Sequence, residues 1–254
     1  KGVKTLFLSM TNGIQALIGE LWAKQELEKL KGFFAWVEWV IHTGTTYVFS
    51  CTAALIVPFV QVYTFGINDE EFIRGKVPMT KAEVRAMIMV KARIAPEDTV
   101  VDIGAGTGSI TVEAALCANK GIVYAIEMNP EGIDLIKQNA EKFGCRNIYP
   151  VLGSAPEAMA ELPMTDVVII GGSGGNMHEI LNKATNILRP DGRIVLTSVT
   201  AETTGEVVNE FKDRPFTFDG FQMQINRLRK LGRYHLFNPM SPIFIFTAIK
   251  KEEV

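Results

Sequence analysis

The sequence has 254 residues, 47% of them hydrophobic, with a formal net charge of -2 and a pI near 6.0. This length suits one large α/β domain, or one ordinary domain with an appendage. Because the charge gives no basic field, we expect no nucleic-acid partner. Three cysteines and three histidines lie far apart in the sequence. They favour free thiols in a reducing, cytoplasmic compartment and predict no protein-bound metal.

The first 67 residues differ in composition from the rest and contain all three tryptophans. Residues 46–65 form an apolar run that includes Pro58, and a membrane span needs about 20 such residues. An amphipathic helical pattern precedes this run. Its apolar stripe comprises Leu27, Leu30, Phe34 and Val37, with Trp36 and Trp39 where an interface belt would lie. We predict a mainly helical apolar segment over residues 1–67 that contacts a membrane. The alternative is a buried hairpin of helices packed on the second half.

Part of this segment resembles a known transporter family. The stretches NGIQALIGELWAKQELEKLKGFFAWVEWVIHT and ALIVPFVQVYTFGIND are similar to a piece of bacterial polysaccharide flippases of the multidrug and oligosaccharide exporter superfamily. Such a transporter has many spanning helices, so this piece alone cannot form a path across a bilayer. Since the chain starts at Lys1, we expect either that an upstream part was removed or that two genes were joined near GINDEEF. The sequence does not decide whether residues 1–67 were joined to the rest by a true gene fusion or by an artefact.

From residue 68 onward, apolar strands alternate with helical patterns. The strands are predicted at TVVDI, IVYAI, NIYPVL, DVVII and GRIVL, and FTFDGFQMQI and SPIFIFTAI predict a closing antiparallel pair. Helices are predicted from Thr107, from Asn129 and Pro130, and briefly at Pro156. A T-x-x-E capping box at Thr80 and Glu83 is predicted to open an earlier helix that Pro96 ends. Continuous apolar strands predict an α/β domain over residues 68–254 with a mostly parallel, doubly wound sheet.

The first strand-to-helix turn, DIGAGTGSI, carries three alternating glycines directly after Asp102. Glycines let the backbone approach a ligand closely, and Glu127 at the end of the second strand can accept both hydroxyls of a ribose. With PDGRIV before the fifth strand, these features resemble the cofactor site of class I S-adenosylmethionine-dependent methyltransferases. The resemblance implies a Rossmann-like fold with an antiparallel last strand, and S-adenosylmethionine as cofactor. The expected cofactor residues are Thr80, Asp102, Gly104, Gly106, Thr107, Gly108, Glu127, Ser154, Ala155 and Gly171.

Ser154 is a departure from this superfamily, which often has an aspartate there to hold the adenine amino group. A serine hydroxyl accepts the same hydrogen bond more weakly than a carboxylate. We therefore expect lower cofactor affinity, by an amount that the sequence leaves open.

The loop after the fourth strand, GGSGGN, has two interpretations. Gly171, Ser173 and Gly175 satisfy the G-x-S-x-G elbow of esterases. A hydrolase also needs an acid and a histidine after the serine. An aspartate followed by His235 matches this order along the chain, but nothing in the sequence shows that these residues meet. The loop lacks the Asn-Pro-Pro-Tyr and Asp-Pro-Pro-Tyr signatures of enzymes that methylate amide or base nitrogens. Its small residues favour the second interpretation, which is room for a bulky substrate.

GGSGGN, EFIRGKVPMTK and RLRKLGRYHLFNPMSPIFI together closely resemble the decarboxylating methyltransferase of cobalamin biosynthesis that acts on precorrin-6B or its cobalt form. The resemblance implies methylation of carbon 15 of a tetrapyrrole and loss of the carbon-12 acetate as carbon dioxide. Whether the substrate carries cobalt stays open. The resemblance also implies a homo-oligomer and leaves a separate carbon-5 methyltransferase as a candidate partner protein.

Substrate-positioning residues are predicted in the glycine loop and in the basic run near the carboxyl terminus. Arginines pair carboxylates through two hydrogen bonds, which suits a polyanionic tetrapyrrole. The predicted set is Ser173, Asn176, Arg227, Arg229, Lys230 and Arg233, with Arg74, Lys76 and Lys81 on the other side of the cleft. No catalytic side chain is predicted, because an electron-rich carbon needs no strong general base.

Two rival functions stay open from the sequence. One is a methyltransferase acting on tRNA adenine, whose strand-one motif is similar, although the slightly acidic pI argues against it. The other is a membrane-attached binding module without catalysis, anchored by residues 1–67.

Overall fold

The protein is described by a computed structural model that covers residues 27–64 and 66–251. Two compact units divide between Tyr63 and Thr64. In the first unit, helix α1 (Leu27–Thr64) continues through Pro58, so the amphipathic and apolar stretches belong to one helix. Within the described ranges, no helix combines the length and hydropathy that a membrane span requires. The flippase-like stretch before residue 27, and the side chains of residues 51–64, lie outside the described part.

The second unit is built on a seven-stranded sheet with the order β3-β2-β1-β4-β5-β9-β6. The strands are β1 (Thr99–Ile103), β2 (Ile122–Glu127), β3 (Ile148–Leu152), β4 (Thr165–Ile170), β5 (Leu188–Ser198), β6 (Phe216–Met223) and β9 (Ile243–Lys250). Strands β1 to β5 pair in parallel, and β9 runs antiparallel to both β5 and β6. The predicted doubly wound sheet with an antiparallel last strand is confirmed.

Helices cover both faces of this sheet and pack in three hydrophobic clusters. They are α2 (Ala82–Ala92), α3 (Ser109–Cys117), α4 (Pro130–Lys142), α5 (Met177–Ile187) and α6 (Ala201–Glu210). Successive residues of a strand face opposite sides, so Val100 packs in the core with α2 and α3, while Val101 packs in the core with α5. Both side chains are fully buried, which explains why β1 reads as a continuous apolar run.

The caps of two helices test the sequence predictions. Asn129 caps α4 as predicted, because its side chain accepts a hydrogen bond from the amide of Glu131 at 2.9 Å. The predicted capping box at Thr80 is wrong: Lys81 is the N-cap of α2, no side chain caps it, and Glu83 instead binds Arg227. The predicted stop at Pro96 is also late. Helix α2 ends at Ala92, because the next residue adopts a left-handed conformation and its amide bonds to the carbonyl of Met89.

A hairpin that the sequence analysis missed lies between β6 and β9. Strands β7 (Asn226–Leu231) and β8 (Tyr234–Pro239) form a separate two-stranded sheet, and every residue of both strands is exposed. The hairpin leaves the large sheet where Met223 pairs with Ile243, beside the end of β5. It therefore starts at the carboxyl edge of the parallel strands.

Candidate functional site

Strands β1 and β4 are neighbours, but the helices that follow them cover opposite faces of the sheet. Such a switch point opens a crevice at the carboxyl ends of the strands, where ligands of doubly wound folds bind. The two loops touch there, because the Gly171 amide donates to the Ile103 carbonyl at 2.9 Å. A β-carbon on Gly104 would lie 3.0 Å from the Gly172 nitrogen. The small residues after both strands thus allow the two loops to meet.

The glycine loop after β1 has a backbone that only glycine adopts readily. Gly104, Gly106 and Gly108 have φ values of 74°, 58° and 78°, in the left-handed region. A β-carbon on Gly106 would lie 2.8 Å from the carbonyl oxygen of Pro78, so this glycine is also required by a close approach. The loop presents backbone atoms rather than side chains to the crevice.

Glu127, at the end of β2, is held by this loop and by its own following turn. Its Oε2 accepts a hydrogen bond from the Gly106 amide and its Oε1 from the Asn129 amide, both at 2.8 Å. The residue is only 7% exposed. Each carboxylate oxygen keeps further acceptor capacity beyond one backbone bond, so the pair can bind two neighbouring hydroxyls of a ribose.

Asp102 is a buried acid with one unsatisfied oxygen. Its Oδ2 accepts from the Thr111 hydroxyl at 2.6 Å, while Oδ1 has no partner among the described residues. Burial raises the pKa of Asp102 to about 6, and the charge of Glu127 adds to this, although the Thr111 hydrogen bond opposes it. The Thr107 hydroxyl is likewise buried and unpartnered within the described ranges. Unsatisfied buried polar atoms are costly, so both groups fit a site that is completed by a ligand.

These groups surround a cavity of about 570 Å³, a volume in the range of small-molecule and cofactor sites. Its lining is Val77, Pro78, Gly104, Gly106, Glu127, Met128, Asn129 and Gly171. Sequence reasoning missed Met128, which is 69% exposed. An apolar residue directly after the acid at a strand end was the available signal. Val77 and Pro78 gave no such signal, since they reach the cavity only through the tertiary fold.

The remaining predicted cofactor residues lie around this cavity without lining it. Ser154 and Ala155 follow β3, whose Leu152 pairs with Glu127, and the Ser154 hydroxyl donates to the Ala155 carbonyl at 3.3 Å. Asp102, Thr107 and Gly108 lie in β1 and in the turn above it. The Thr80 carbonyl accepts a hydrogen bond from Arg85 at 2.6 Å. A role for Thr80 and Ser154 at the cofactor stays a prediction.

Ser173 and Asn176 lie in the loop between β4 and α5, where the Asn176 amide donates to the Ser173 carbonyl at 3.0 Å. Within the described part of the chain, the Ser173 hydroxyl bonds to no histidine or acid, so the arrangement that a serine hydrolase needs is not formed. The nearby His178 contacts Glu210 and Asn182 instead. The described residues also contain no group of three or more His, Cys, Asp or Glu side chains that could hold a metal ion.

The basic run lies on the β7–β8 hairpin, which divides its four cations. Arg227 pairs with Glu83 at 2.7 Å. Arg229 shares the face of Arg227, because strand residues two apart point the same way, while Lys230 lies on the other face. Arg233, in the turn, stacks over the Tyr234 ring at 5.0 Å. Arg229 and Arg233 form no ion pair with any described residue, so they are free to bind an anion.

Three further cations, Arg74, Lys76 and Lys81, were predicted to face the cleft from the other side. Their contacts are with Asp69 and Glu131. Arg74 donates to the Asp69 carbonyl at 3.1 Å, and Lys81 lies 3.8 Å from the Asp69 carboxylate. The backbone amide of Lys76 donates to Glu131 at 2.8 Å. Arg74 and Lys81 are thus engaged at Asp69, which leaves the hairpin as the better source of free cations.

Comparison with known proteins identifies the family. The family model described as "precorrin methyltransferase domain" matches residues 71–250. The probable cobalt-precorrin-6B C(15)-methyltransferase (decarboxylating) of Pyrobaculum aerophilum is 38% identical over 188 residues, which cover 73% of this chain and 96% of that protein. The cobalt-precorrin-6B C(15)-methyltransferase (decarboxylating) of Salmonella typhimurium is 37% identical over 73% of this chain and 97% of its own.

A solved structure agrees with these relatives. The precorrin-6y C5,15-methyltransferase from Geobacter metallireducens superposes with a TM-score of 0.69 at 36% identity, over 73% of this chain and 98% of that one. The family model begins at residue 71, so the flippase resemblance of residues 1–67 and the boundary at residues 67 and 68 stay predictions. From residue 71 to 250, the chain belongs to the precorrin methyltransferase family.

Proposed function

We propose that this protein methylates a carbon of a precorrin tetrapyrrole with S-adenosylmethionine and removes a carboxylate from the same substrate. The substrate is precorrin-6B or cobalt-precorrin-6B, methylated at carbon 15, with loss of the carbon-12 acetate as carbon dioxide. One observation carries the proposal: a chain of this family has a cavity at the switch point of its sheet that is framed by a glycine loop and Glu127.

The residues of the cavity fit S-adenosylmethionine. Glu127 can accept the ribose hydroxyls, and the backbone of Gly104 and Gly106 leaves space for close approach. The unpartnered oxygens of Asp102 and Thr107 can bind the polar groups of its methionine part. When bound, the cofactor supplies an electrophilic sulfonium methyl group.

The tetrapyrrole fits between the β4 loop and the hairpin. Residues 171–176 of that loop are exposed except Ser173, which is half-buried, and five of them are glycine or serine in the sequence GGSGGN. The hairpin starts two strand spacings away, roughly 10 Å from the end of β4. A macrocycle lying over the loop can therefore place its carboxylates on Arg229 and Arg233.

The proposed reaction requires little general acid–base catalysis by the protein. The acids at the cavity, Asp102 and Glu127, are held by Thr111 and by backbone amides. Attack of an electron-rich macrocycle carbon on the sulfonium methyl would need no strong general base. The methyl–sulfur bond would break as the new carbon–carbon bond forms, and its electron pair would leave with S-adenosylhomocysteine. The electron pair left behind by carbon dioxide would enter the conjugated ring, which methylation leaves electron-poor. The protein's contribution is position, which brings carbon and methyl to about 3–3.5 Å.

The decisive experiment incubates the full chain with cobalt-precorrin-6B and S-adenosylmethionine labelled in its methyl group, and measures the product mass. We expect one labelled methyl to be gained and one carbon dioxide to be lost. A parallel reaction with cobalt-free precorrin-6B decides between the two substrates. A methylated product that keeps its carboxylate would remove decarboxylation from the proposal, and label in tRNA with none in either tetrapyrrole would replace it with the rival reaction.

The expected assembly and location belong to the same proposal. We expect a homo-oligomer in the cytoplasm, with methylation at carbon 5 supplied by a separate partner protein. The hairpin offers apolar surface for contact between copies, because Leu228, Leu231 and Phe237 are 61%, 57% and 73% exposed. Analytical ultracentrifugation of the full chain measures the assembly, and a monomer at micromolar concentration would contradict it.

A further inference from the structure

Residues 66–81 form a strap that runs from the start of the second unit to helix α2. Apart from a short 3-10 turn (Asp69–Glu71), the strap has no regular secondary structure. Val77 and Pro78 of the strap line the candidate cofactor cavity. Because no strand pairing holds the strap, its position depends on side chains that bind its backbone.

Asn139 of helix α4 is the side chain that joins the strap to the glycine loop. It is fully buried. Its Oδ1 accepts from the Ile73 amide at 2.8 Å, and its Nδ2 donates to the Ile73 carbonyl at 3.0 Å. The same Nδ2 donates to the Thr107 carbonyl at 2.9 Å. One amide group therefore fixes a strap residue from both sides and holds the loop residue whose hydroxyl is unpartnered.

Contacts farther along the strap press it against the same loop. Glu131 of α4 accepts a hydrogen bond from the Lys76 amide at 2.8 Å. A β-carbon on Gly75 would collide with this carboxylate, so an added methyl would displace either the strap or the Glu131 side chain that binds it. Beyond it, the Pro78 carbonyl lies 2.8 Å from the position of a β-carbon on Gly106. The strap thus rests directly on the glycine loop.

The two ends of the strap are tied together by Arg85 of α2, which is fully buried. Its Nη1 donates to the Thr80 carbonyl at 2.6 Å and to the Asp69 carboxylate at 2.7 Å, and its Nη2 donates to the Ile67 carbonyl. Its Nε binds Glu113 of α3 at 2.8 Å. With both ends fixed, Asn139 and Glu131 determine how the middle of the strap lies over the cavity.

We propose that Asn139 is a positioning residue for cofactor binding. It holds the strap and the glycine loop in fixed relative positions, so that both walls of the cavity form together. This inference rests on the proposed cofactor site. Asn139 acts through Ile73 and Thr107 and does not itself line the cavity. Removing its donor group separates the two walls while every cavity residue stays unchanged.

The test replaces Asn139 by aspartate, which has the same shape and keeps the acceptor for the Ile73 amide. The variant loses both donated hydrogen bonds and places an oxygen against two carbonyl oxygens. We expect calorimetry to show binding of S-adenosylhomocysteine weakened about tenfold, since a lost hydrogen bond that leaves buried groups unpaired is worth a factor of this order. In turnover, KM for S-adenosylmethionine should rise more than kcat falls.

Asn147→Asp is the matched control. The Asn147 Nδ2 also donates to backbone carbonyls, those of Ala115 and Ala118 at 3.1 and 2.7 Å, but at the amino edge of the sheet. We expect this variant to lose thermal stability while its affinity for S-adenosylhomocysteine stays within twofold of wild type. Equal losses of affinity in the two asparagine variants would reduce the role of Asn139 to general stability.

Gly75→Ala gives a second test that leaves Asn139 intact and decides the matter if Asn139→Asp does not fold. The added methyl should push the strap from Glu131 and weaken S-adenosylhomocysteine binding, with faster amide exchange at Lys76. Wild-type affinity in Gly75→Ala and in any folded Asn139→Asp would overturn this inference alone. Failure of the wild type to bind S-adenosylhomocysteine would instead overturn the proposed function.

Discussion

The cofactor cavity and the β7–β8 hairpin are two parts of one proposed site with opposite construction. The cavity is framed by glycine backbone and by the buried acid Glu127, which two short hydrogen bonds hold in place. The hairpin is made of exposed side chains, of which Arg227 alone has an acidic partner among the described residues. A backbone-built site tolerates no added atom, whereas a site of several exposed cations loses affinity in steps. This contrast predicts the size of the effects of mutation.

The largest effect is expected for Gly106→Ala. The new methyl would lie 2.8 Å from the Pro78 carbonyl on a backbone with φ of 58°, so the cavity wall must move. We expect S-adenosylhomocysteine binding, measured by calorimetry, to weaken on the order of 100-fold, the result of a steric clash added to left-handed strain.

Gly144→Ala separates the clash from the strain. Gly144 has φ of 70° and open space around its β-carbon position, and it lies outside the cavity. We expect the Gly144→Ala variant to be less stable by about 1–2 kcal/mol, with unchanged affinity for S-adenosylhomocysteine. Similar affinities in the two glycine variants would show that the cavity tolerates an added methyl group as well as an exposed surface does.

Asp102→Asn is expected to make the protein more stable at pH 8 and to lower its affinity for the cofactor. Burial raises the pKa of Asp102 from 3.8 to about 6, so the folded state disfavours the charged carboxylate. The wild type therefore loses stability as pH rises from about 4 through about 6. We expect the variant to be more stable at pH 8 by on the order of 1–3 kcal/mol, an advantage that disappears near pH 4. Cofactor affinity should fall, because asparagine has one acceptor oxygen instead of two and the Thr111 hydroxyl already donates to one of them.

Thermal melts from pH 4 to pH 8 measure this difference. Asp98→Asn serves as the control, because it breaks the 2.8 Å ion pair with Arg193 and should lower stability at pH 8. A loss of stability in Asp102→Asn at pH 8 would contradict the destabilising role of the buried charge.

Replacing Arg229 and Arg233 together by alanine should affect the tetrapyrrole alone. Hydrogen bonds to charged groups are worth about 1.5–3 kcal/mol, so we expect KM for the tetrapyrrole to rise about 10- to 100-fold. The affinity for S-adenosylhomocysteine should not change. Arg146→Ala with Arg189→Ala is the matched control, since it removes the same charge at the amino edge of the sheet. Weakened cofactor binding in the first pair would contradict the division of the site.

Arg227→Ala is expected to have the smallest effect. Arg227 already pairs with Glu83, and both side chains are nearly half exposed, at 48% and 45%. Exposed pairs contribute about 0–1 kcal/mol, so KM for the tetrapyrrole should change less than about fivefold. An effect as large as that of the double variant would mean that the ion pair opens to bind the substrate, and Glu83→Gln would then lower KM.

The two regions also differ in how well the sequence predicted them. The cavity residues Gly104, Gly106 and Glu127 were found, because alternating glycines directly after an apolar strand and an acid at the end of the next one are local signals. The hairpin was missed, since its exposed strands lack the alternation of apolar and polar residues that a half-buried strand shows. Its basic residues were found, but their division between two faces was not.

The amino-acid sequence by itself determined the order of strands and helices, the Asn129 cap and the glycine loop, because periodicity, capping and left-handed backbone depend on neighbouring residues. Tertiary structure alone decided which distant groups meet. Glu83 binds Arg227 across 144 positions and so does not cap its own helix, and Asn139 binds Ile73 across 66. Partners at such separations are chosen by the packing of the sheet and helices, which no local spacing encodes.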